Sequence, residues 1–213
     1  MANGRDWGYK VVREIRIYVE GGGDGKDQKS QIRKGFSEFF YKAVGKRIKI
    51  IACGNRVKTF RDFQLALKTH PRAFNLLLVD SEGPVNSTPW QHLHNRTADK
   101  WRQPQNATNE HCHLMVQMME AWFIADLEAI KRFYGQGFNV SPIPKNTNVE
   151  DIPKETLISA FQIATKNTIR GQYGKIKHGS KILEQLDADK VRTAAPHCNR
   201  LLTTLTEEMN APL

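Results

Sequence analysis

The sequence has few cysteines and no long apolar run, and each shortage excludes a class of protein. Only three cysteines occur among the 213 residues: Cys53, Cys112 and Cys198. Their odd number and wide spacing argue against a disulfide framework and predict a reducing, cytoplasmic location. No stretch approaches the ~20 apolar residues of a membrane-spanning helix, and residues 1–10 contain no apolar signal segment. We therefore expect a cytoplasmic protein with no membrane partner.

Acidic residues are also scarce: 22 Asp and Glu stand against 32 Lys and Arg, for a net charge of +10. Solubility alone is one explanation, and a polyanionic partner such as nucleic acid is the more specific one. Motifs for zinc are weak, because no Cys-x-x-Cys pair accompanies the histidines near Cys112. The scarce carboxylates are therefore the most informative residues.

Two carboxylates follow the most apolar segment of the chain. Residues 76–79 are Leu-Leu-Leu-Val without alternation, and Asp80, Ser81 and Glu82 come next. Such a run predicts a strand that is buried on both faces of a parallel sheet. Ligands bind beyond the carboxyl ends of such strands, and side chains one residue apart leave the same side of an extended chain. Because two carboxylates repel each other unless a cation separates them, the pair predicts a Mg²⁺ site.

Strand and helix patterns alternate around this segment. Strands are predicted at 13–19, 47–53, 74–80 and 111–117, and helices at 28–44, 59–69 and 118–134. This order predicts an α/β fold with a sheet of about four mainly parallel strands flanked by helices. The expected organisation is an α/β domain at 1–137, with an irregular insertion at 83–110, and a helical C-terminal extension at 138–213.

The first predicted strand ends in Glu20, and a glycine-rich segment at 21–25 leads to Lys26. This segment fails the P-loop template, because its spacing is short and Asp27 follows Lys26. It also fails the dinucleotide fingerprint, since Lys26 stands where the third glycine is needed. A flexible turn is the default interpretation of the glycines. Glu20, at the tip of a strand, remains a candidate functional residue.

Glu120 lies in the first turn of the helix predicted at 118–134, where it is either a partner of the helix dipole or a further carboxylate at the same sheet edge. Asp126 lies six residues later and is expected to make a structural contact. Basic residues in the insertion and at 171–181 form either a solvated face or a phosphate-binding surface. The candidates for nucleic-acid contact are Arg96, Arg102, Lys175, Lys177, His178 and Lys181.

Several of these segments together resemble one family, the TOPRIM-like domain of unknown function DUF4276. The similar segments are 18–23, 77–83 and 113–126, followed by Tyr173, Lys175 and 178–181. The resemblance implies a Rossmann-like TOPRIM sheet with a glutamate after its first strand and an acidic pair after its third. It also implies that the protein accompanies an ATPase in a phage-defence system.

In TOPRIM enzymes the acids of this sheet bind Mg²⁺ for phosphodiester cleavage or joining. The resemblance therefore implies that Glu20 is a metal ligand or a general acid/base and that Asp80 is a metal ligand. Glu82 departs from the usual second aspartate of TOPRIM domains and has one more methylene of reach.

Two hypotheses for function follow. The first is a Mg²⁺- or Mn²⁺-dependent nuclease, in which Glu20, Asp80, Glu82 and Glu120 hold metal and a basic residue (Lys26, Lys175 or Lys181) stabilises charge. The alternative is a non-catalytic nucleic-acid-binding or regulatory subunit of an ATPase. A nucleotide phosphohydrolase is a third and weaker interpretation, since the sheet alone does not determine function.

Overall fold

The computed structural model describes residues 13–21, 23 and 25–211. Four strands within these residues form a parallel sheet in the order β2-β1-β3-β4. Their bounds are β1 Ile15–Glu20, β2 Lys49–Gly54, β3 Phe74–Asp80 and β4 Cys112–Met115. The predicted α/β fold, with a parallel sheet between helices and a helical C-terminal part, is confirmed. Those parts of the predicted ranges that fall on residues 1–12, 22, 24, 212 and 213 lie outside the described residues.

The helices lie between and after the strands. In chain order they are α1 Lys26–Val44, α2 Arg56–Thr69, α3 Pro89–Asn95, α4 Glu120–Ala125, α5 Leu127–Tyr134, α6 Lys154–Thr165, α7 Ser180–Leu183, α8 Ala188–Ala194 and α9 Pro196–Asn210. A π-helical turn at Lys175–Gly179 precedes α7. Across the described ranges, no helix combines the length and apolar character needed to cross a membrane.

Strand β3 is buried along its whole length because helices cover both faces of the sheet. Leu76 and Leu78 belong to the larger of two apolar clusters, which includes residues of α1 and of α4 to α9. Leu77 and Val79 belong to the smaller cluster, which includes residues of α2 and α3. The continuous apolar run of β3 thus reflects a strand between two helical layers.

The sequence prediction of one helix at 118–134 is wrong, because Asp126 interrupts it. Asp126 has φ −128° and ψ 73°, and its Oδ1 accepts the backbone N–H of Ala129 at the start of α5. The same carboxylate accepts hydrogen bonds from Lys190 Nζ at 2.8 Å and from the backbone N–H of Asp187 at 3.0 Å. Asp126 therefore caps one helix and fastens another segment, which is the structural role expected for it.

The segment at 83–110 is more ordered than the irregular insertion expected from sequence. It contains α3, where Pro89 takes the first helical position and the backbone N–H of Thr88 donates to Gln91 Oε1 at 3.3 Å. Trp90 and Leu93 of this helix are buried in the smaller apolar cluster. A helix of two turns carries too little periodicity to stand out among prolines and asparagines. Helix α8 was also not predicted, for the same reason of length.

Gly35 of α1 provides a test of how α1 and α7 pack. A Cβ atom at Gly35 would lie 2.6 Å from the backbone oxygen of Ser180, which is closer than any ordinary contact. We expect Gly35→Ala to lower the free energy of unfolding by about 1–3 kcal/mol through overpacking, although alanine favours helix by ~1 kcal/mol. Urea unfolding followed by circular dichroism measures the change.

The matched control for this prediction is Ser30→Ala, on the exposed side of the same helix. It should change the free energy of unfolding by less than about 0.5 kcal/mol. If Gly35→Ala were as stable as the original protein, the close approach of α1 to the start of α7 would be incorrect.

Candidate active site at the carboxyl edge of the sheet

The candidate site lies where the sheet changes its direction of winding. From β1 the chain passes through α1 to β2 on one side, and it returns through α2 to β3 on the other side of β1. Crevices at such switch points, outside the carboxyl ends of the strands, are the usual ligand sites of α/β sheets. Glu20 is the last residue of β1 and Asp80 is the last residue of β3. Both carboxylates predicted from strand tips therefore lie at this crevice.

Asp80 is the most constrained of these carboxylates. It is 3% exposed. Its Oδ1 accepts the backbone N–H of Met119 at 2.8 Å, and its Oδ2 accepts Lys175 Nζ at 2.8 Å. Met119 lies directly before α4, so the first contact joins the end of β3 to the start of that helix. The second contact joins β3 to a residue 95 positions away in the chain.

Glu120 brings a third carboxylate to the same place. It is the first residue of α4, is 1% exposed, and accepts the hydroxyl of Tyr173 on Oε1 at 2.7 Å. Its Oε2 lies 3.6 Å from Lys175 Nζ, and no described residue makes a hydrogen bond to this buried atom. Buried polar atoms are nearly always satisfied in native proteins, so an exception calls for an explanation. Glu120 Oε2 has capacity for a further ligand.

Glu20 is held by an arginine that the sequence analysis did not select. Arg56 NH1 donates to Glu20 Oε2 at 2.9 Å and to the backbone oxygen of Asp80 at 2.7 Å. Its other nitrogens bind both carboxylate oxygens of Asp99 at 2.7 and 2.8 Å. The guanidinium carbon lies 5.1 Å from the centroid of the Trp101 ring. Its position could have identified it from sequence, because Arg56 begins α2 just beyond the carboxyl end of β2.

Burial and repulsion from neighbouring carboxylates raise the pKa of Glu20 and of Glu120. Burial raises the pKa of Glu20, and the carboxylate of Asp80 raises it further. Burial is also the main cause of the raised pKa of Glu120. For Lys175, burial alone would lower the pKa, but the carboxylates of Asp80 and Glu120 outweigh it and raise the pKa. The lysine is therefore held in its charged form between the acids.

The donor chemistry of the cluster fits a hard divalent cation held by few protein ligands. The ion pairs join three cations to four carboxylates: Arg56, Arg96 and Lys175 to Glu20, Asp80, Asp99 and Glu120. Within residues 13–21, 23 and 25–211, no group of three or more His, Cys, Asp or Glu side chains is arranged to hold a metal. Mg²⁺, however, is usually bound by one or two carboxylates with water and substrate phosphate. Asp80 with Glu120, or Asp80 with Glu20, would meet that requirement if Lys175 released Asp80.

The structure does not bring Glu82 to this cluster, which corrects the expectation that it shares a metal with Asp80. Glu82 has a left-handed backbone with φ 63°, and its carboxylate forms an ion pair with Lys154. The expectation assumed an extended chain, in which residues one apart point the same way. The chain turns directly after Asp80, so Glu82 lines a separate cleft with Glu150 and His197.

The predicted basic residues are not gathered in one place. Lys26, Lys177, Lys181 and Arg102 are exposed, whereas Lys175 lies among the acids. Arg96 donates to Asp99 at 2.6 Å and to the backbone oxygen of Ser81 at 3.1 Å. These contacts give Arg96 a supporting role next to the site.

The structure corrects the prediction that His178 contacts nucleic acid. His178 is buried, and its Nδ1 accepts the Gly174 N–H at 3.2 Å. It packs beside Phe133, Tyr134 and Tyr173. Burial lowers its pKa, so His178 is a packing residue and does not contact nucleic acid directly.

Comparison with known proteins gives one match. A family model described as a domain of unknown function, DUF4276, matches residues 19–206, which include every residue of the carboxylate cluster. Searches of the curated proteins and of the solved structures found no match.

The raised pKa of Glu20 predicts how its replacement changes stability. A carboxyl group whose pKa is higher in the folded than in the unfolded protein contributes stability below its unfolded pKa, and this contribution is lost as the pH rises through the folded value. Glu20→Gln keeps a partner for Arg56 without the charge. In EDTA, we expect this variant to be more stable than the original protein at pH 8, with a difference that shrinks toward pH 4.5.

Urea unfolding across this pH range measures the difference. Glu207→Gln, on the exposed face of α9, is the control and should show no comparable trend. A Glu20→Gln variant that is less stable at pH 8 than at pH 4.5, relative to the original protein, would contradict the electrostatic description of the site.

Proposed function

Because the chain belongs to the DUF4276 family, a domain of unknown function, we propose a function from the chemistry of the site itself. We propose that the protein is a TOPRIM-type nuclease that hydrolyses nucleic-acid phosphodiesters with Mg²⁺ or Mn²⁺. The observation that carries the proposal is the meeting of three carboxylates from separate elements at the switch point of the sheet. Asp80 and Glu120 pair with Lys175, and Arg56 joins Glu20 to the backbone oxygen of Asp80. Titratable groups with perturbed pKa in a crevice are typical of active sites.

Stability alone gives no reason for this arrangement. Burying carboxylates and a lysine costs several kcal/mol per ion, and apolar residues of similar volume are often as stable or more so. The surrounding core is built of such residues, including Met115 and Met119 beside the cluster. Charges retained at the one edge where α/β sheets bind ligands are better explained by chemistry than by folding.

A bound Mg²⁺ or Mn²⁺ would activate water and neutralise charge on the phosphoryl oxygens. Asp80 would hold it together with Glu120 or Glu20. Tyr173 orients Glu120 through its hydroxyl, and Arg56 orients Glu20, so both acids keep fixed positions. Lys175 would exchange Asp80 for a phosphate oxygen when substrate arrives, since its side chain is 40% exposed and has room to move.

The proposed substrate is nucleic acid because the chain carries an excess of basic residues, several of them exposed. Lys26, Lys177, Lys181 and Arg102 are exposed, and the whole chain carries a charge of +10. Lysines and arginines of this kind bind the phosphate backbone without reading sequence. By resemblance to the family, we also propose that an ATPase of a phage-defence system is the partner of this nuclease.

One observation favours the alternative of a non-catalytic nucleic-acid-binding or regulatory subunit. Each acid of the cluster already has a cationic partner, Lys175 for Asp80 and Glu120 and Arg56 for Glu20. In that alternative the ion pairs are permanent and Lys175 never yields to a metal. The two candidates therefore differ in whether the cluster binds divalent cations.

The nuclease proposal predicts the effect of Asp80→Asn. Purified protein should cleave DNA or RNA with Mg²⁺ or Mn²⁺, and Asp80→Asn should lower the rate by about a hundredfold or more, because it removes the central ligand. Gel assays on single- and double-stranded substrates measure the rate. Asp189→Asn, exposed on α8, is the control and should cleave normally. Full activity in Asp80→Asn would exclude the proposed mechanism, and inactivity on every substrate with the ATPase present would exclude the nuclease.

Metal binding separates the two candidates. In the nuclease, Lys175→Met removes the ion that competes for Asp80, so Mn²⁺ should bind several-fold more tightly while cleavage falls. Isothermal titration with Mn²⁺ measures the affinity of variants whose circular dichroism matches the original protein. Lys177→Met, two residues away and exposed, is the matched control. An absence of Mn²⁺ binding in both the original protein and Lys175→Met would favour the non-catalytic subunit.

A further inference from the structure

A cavity of about 340 Å³ opens beside the carboxylate cluster and is not used by the proposed chemistry. It lies between the carboxyl end of β1, the first turns of α1 and the π-helical turn before α7. Glu20 and Lys175 line one part of it, so the cavity is continuous with the site. Its volume falls at the lower end of the range for small-molecule sites, about 300–1,000 Å³.

The walls of this cavity are mainly apolar, in contrast to the cluster beside it. Ile32, Met115, Met119 and Ile176 provide the apolar surface. Methionine sulfur makes favourable contacts with aromatic rings, and flexible methionines adapt to flat ligands. Gln28 adds an amide that both donates and accepts hydrogen bonds. A flat heterocycle with polar edges fits these walls better than a sugar or a phosphate.

Ile176 is unusual for a residue of the cavity wall, because 57% of its surface is exposed. It directly follows Lys175, so an apolar side chain and the cation of the cluster leave neighbouring positions of the same turn. A nucleotide presents the same pair of features, a base beside a phosphate. Because Lys175 and Ile176 both line the cavity, a base beside Ile176 would have its phosphate near Lys175.

We infer that the cavity binds one unstacked nucleobase of the substrate, so that the protein acts on single-stranded or locally opened nucleic acid. The inference rests on the proposed function for the position of the phosphate. A base within a duplex is stacked on both sides and cannot enter a pocket without being extruded. Contacts with the faces of a base are tolerant of sequence, so this pocket selects strandedness more than sequence.

The experiment is isothermal titration of the full chain with four probes in EDTA: adenosine, adenosine 5′-monophosphate, ribose and ribose 5-phosphate. Each compound that contains a base should bind more tightly than the matching sugar: adenosine than ribose, and adenosine 5′-monophosphate than ribose 5-phosphate. Ile176→Asp should weaken the binding of the base compounds by about tenfold or more, because it places a charge where the base would lie. Ile169→Asp is the matched control, since Ile169 is 91% exposed and does not line the cavity.

Each outcome decides the inference. Equal binding of ribose 5-phosphate and adenosine 5′-monophosphate would overturn it. So would a failure of both base compounds to bind, or an equal loss of affinity in Ile176→Asp and Ile169→Asp. The titrations contain no metal and involve no cleavage, so they are independent of the nuclease assay. Base binding without nuclease activity would keep the pocket and remove the proposed function. Nuclease activity without base binding would keep the proposed function and exclude the base pocket.

Discussion

The contact between Lys175 and the carboxylates of Asp80 and Glu120 organises the rest of this molecule. Asp80 ends β3 and Glu120 begins α4, and burying a carboxylate charge is costly unless a cation lies nearby. That cation comes from the C-terminal part of the chain, 95 residues beyond Asp80. The C-terminal helices are therefore more than a cover for one face of the sheet, because the turn before α7 completes the charged site.

Arg56 and Lys175, the two cations next to the acids, differ in how firmly they are held. Arg56 binds Asp99 through two nitrogens, stacks near Trp101, and is only 15% exposed in its side chain. Such a bidentate and planar arrangement is rigid. Lys175 makes single-point contacts and is 40% exposed. The arginine therefore holds its acid in place, whereas the lysine is the less constrained of the two cations.

The sequence was sufficient to predict the positions of those residues that depend on a local pattern. Glu20 and Asp80 end apolar strands, and the parallel sheet brings strand ends together, so their proximity followed from fold class alone. Glu82 was misplaced because its own backbone is left-handed, a conformation that a glutamate rarely adopts and that its identity therefore does not signal. Arg56 and Asp99 were not selected, since their roles depend on partners 36 and 43 residues away. Tyr173 was noted only as part of the family resemblance, because its partner Glu120 lies 53 residues away.

The break at Asp126 shows how local and long-range demands conflict in the same segment. Periodicity alone favours one continuous helix from 118 to 134, yet Asp126 caps α5 and also binds Lys190. The short α4 that results places Glu120 in its first turn, where the helix dipole favours a negative charge, while burial opposes that charge. Oε2 of Glu120 accepts no hydrogen bond from the described residues, although Lys175 Nζ lies 3.6 Å away. Folding alone would be served by an apolar residue at this position, so the buried carboxylate of Glu120 is consistent with the metal site that we propose at this edge of the sheet.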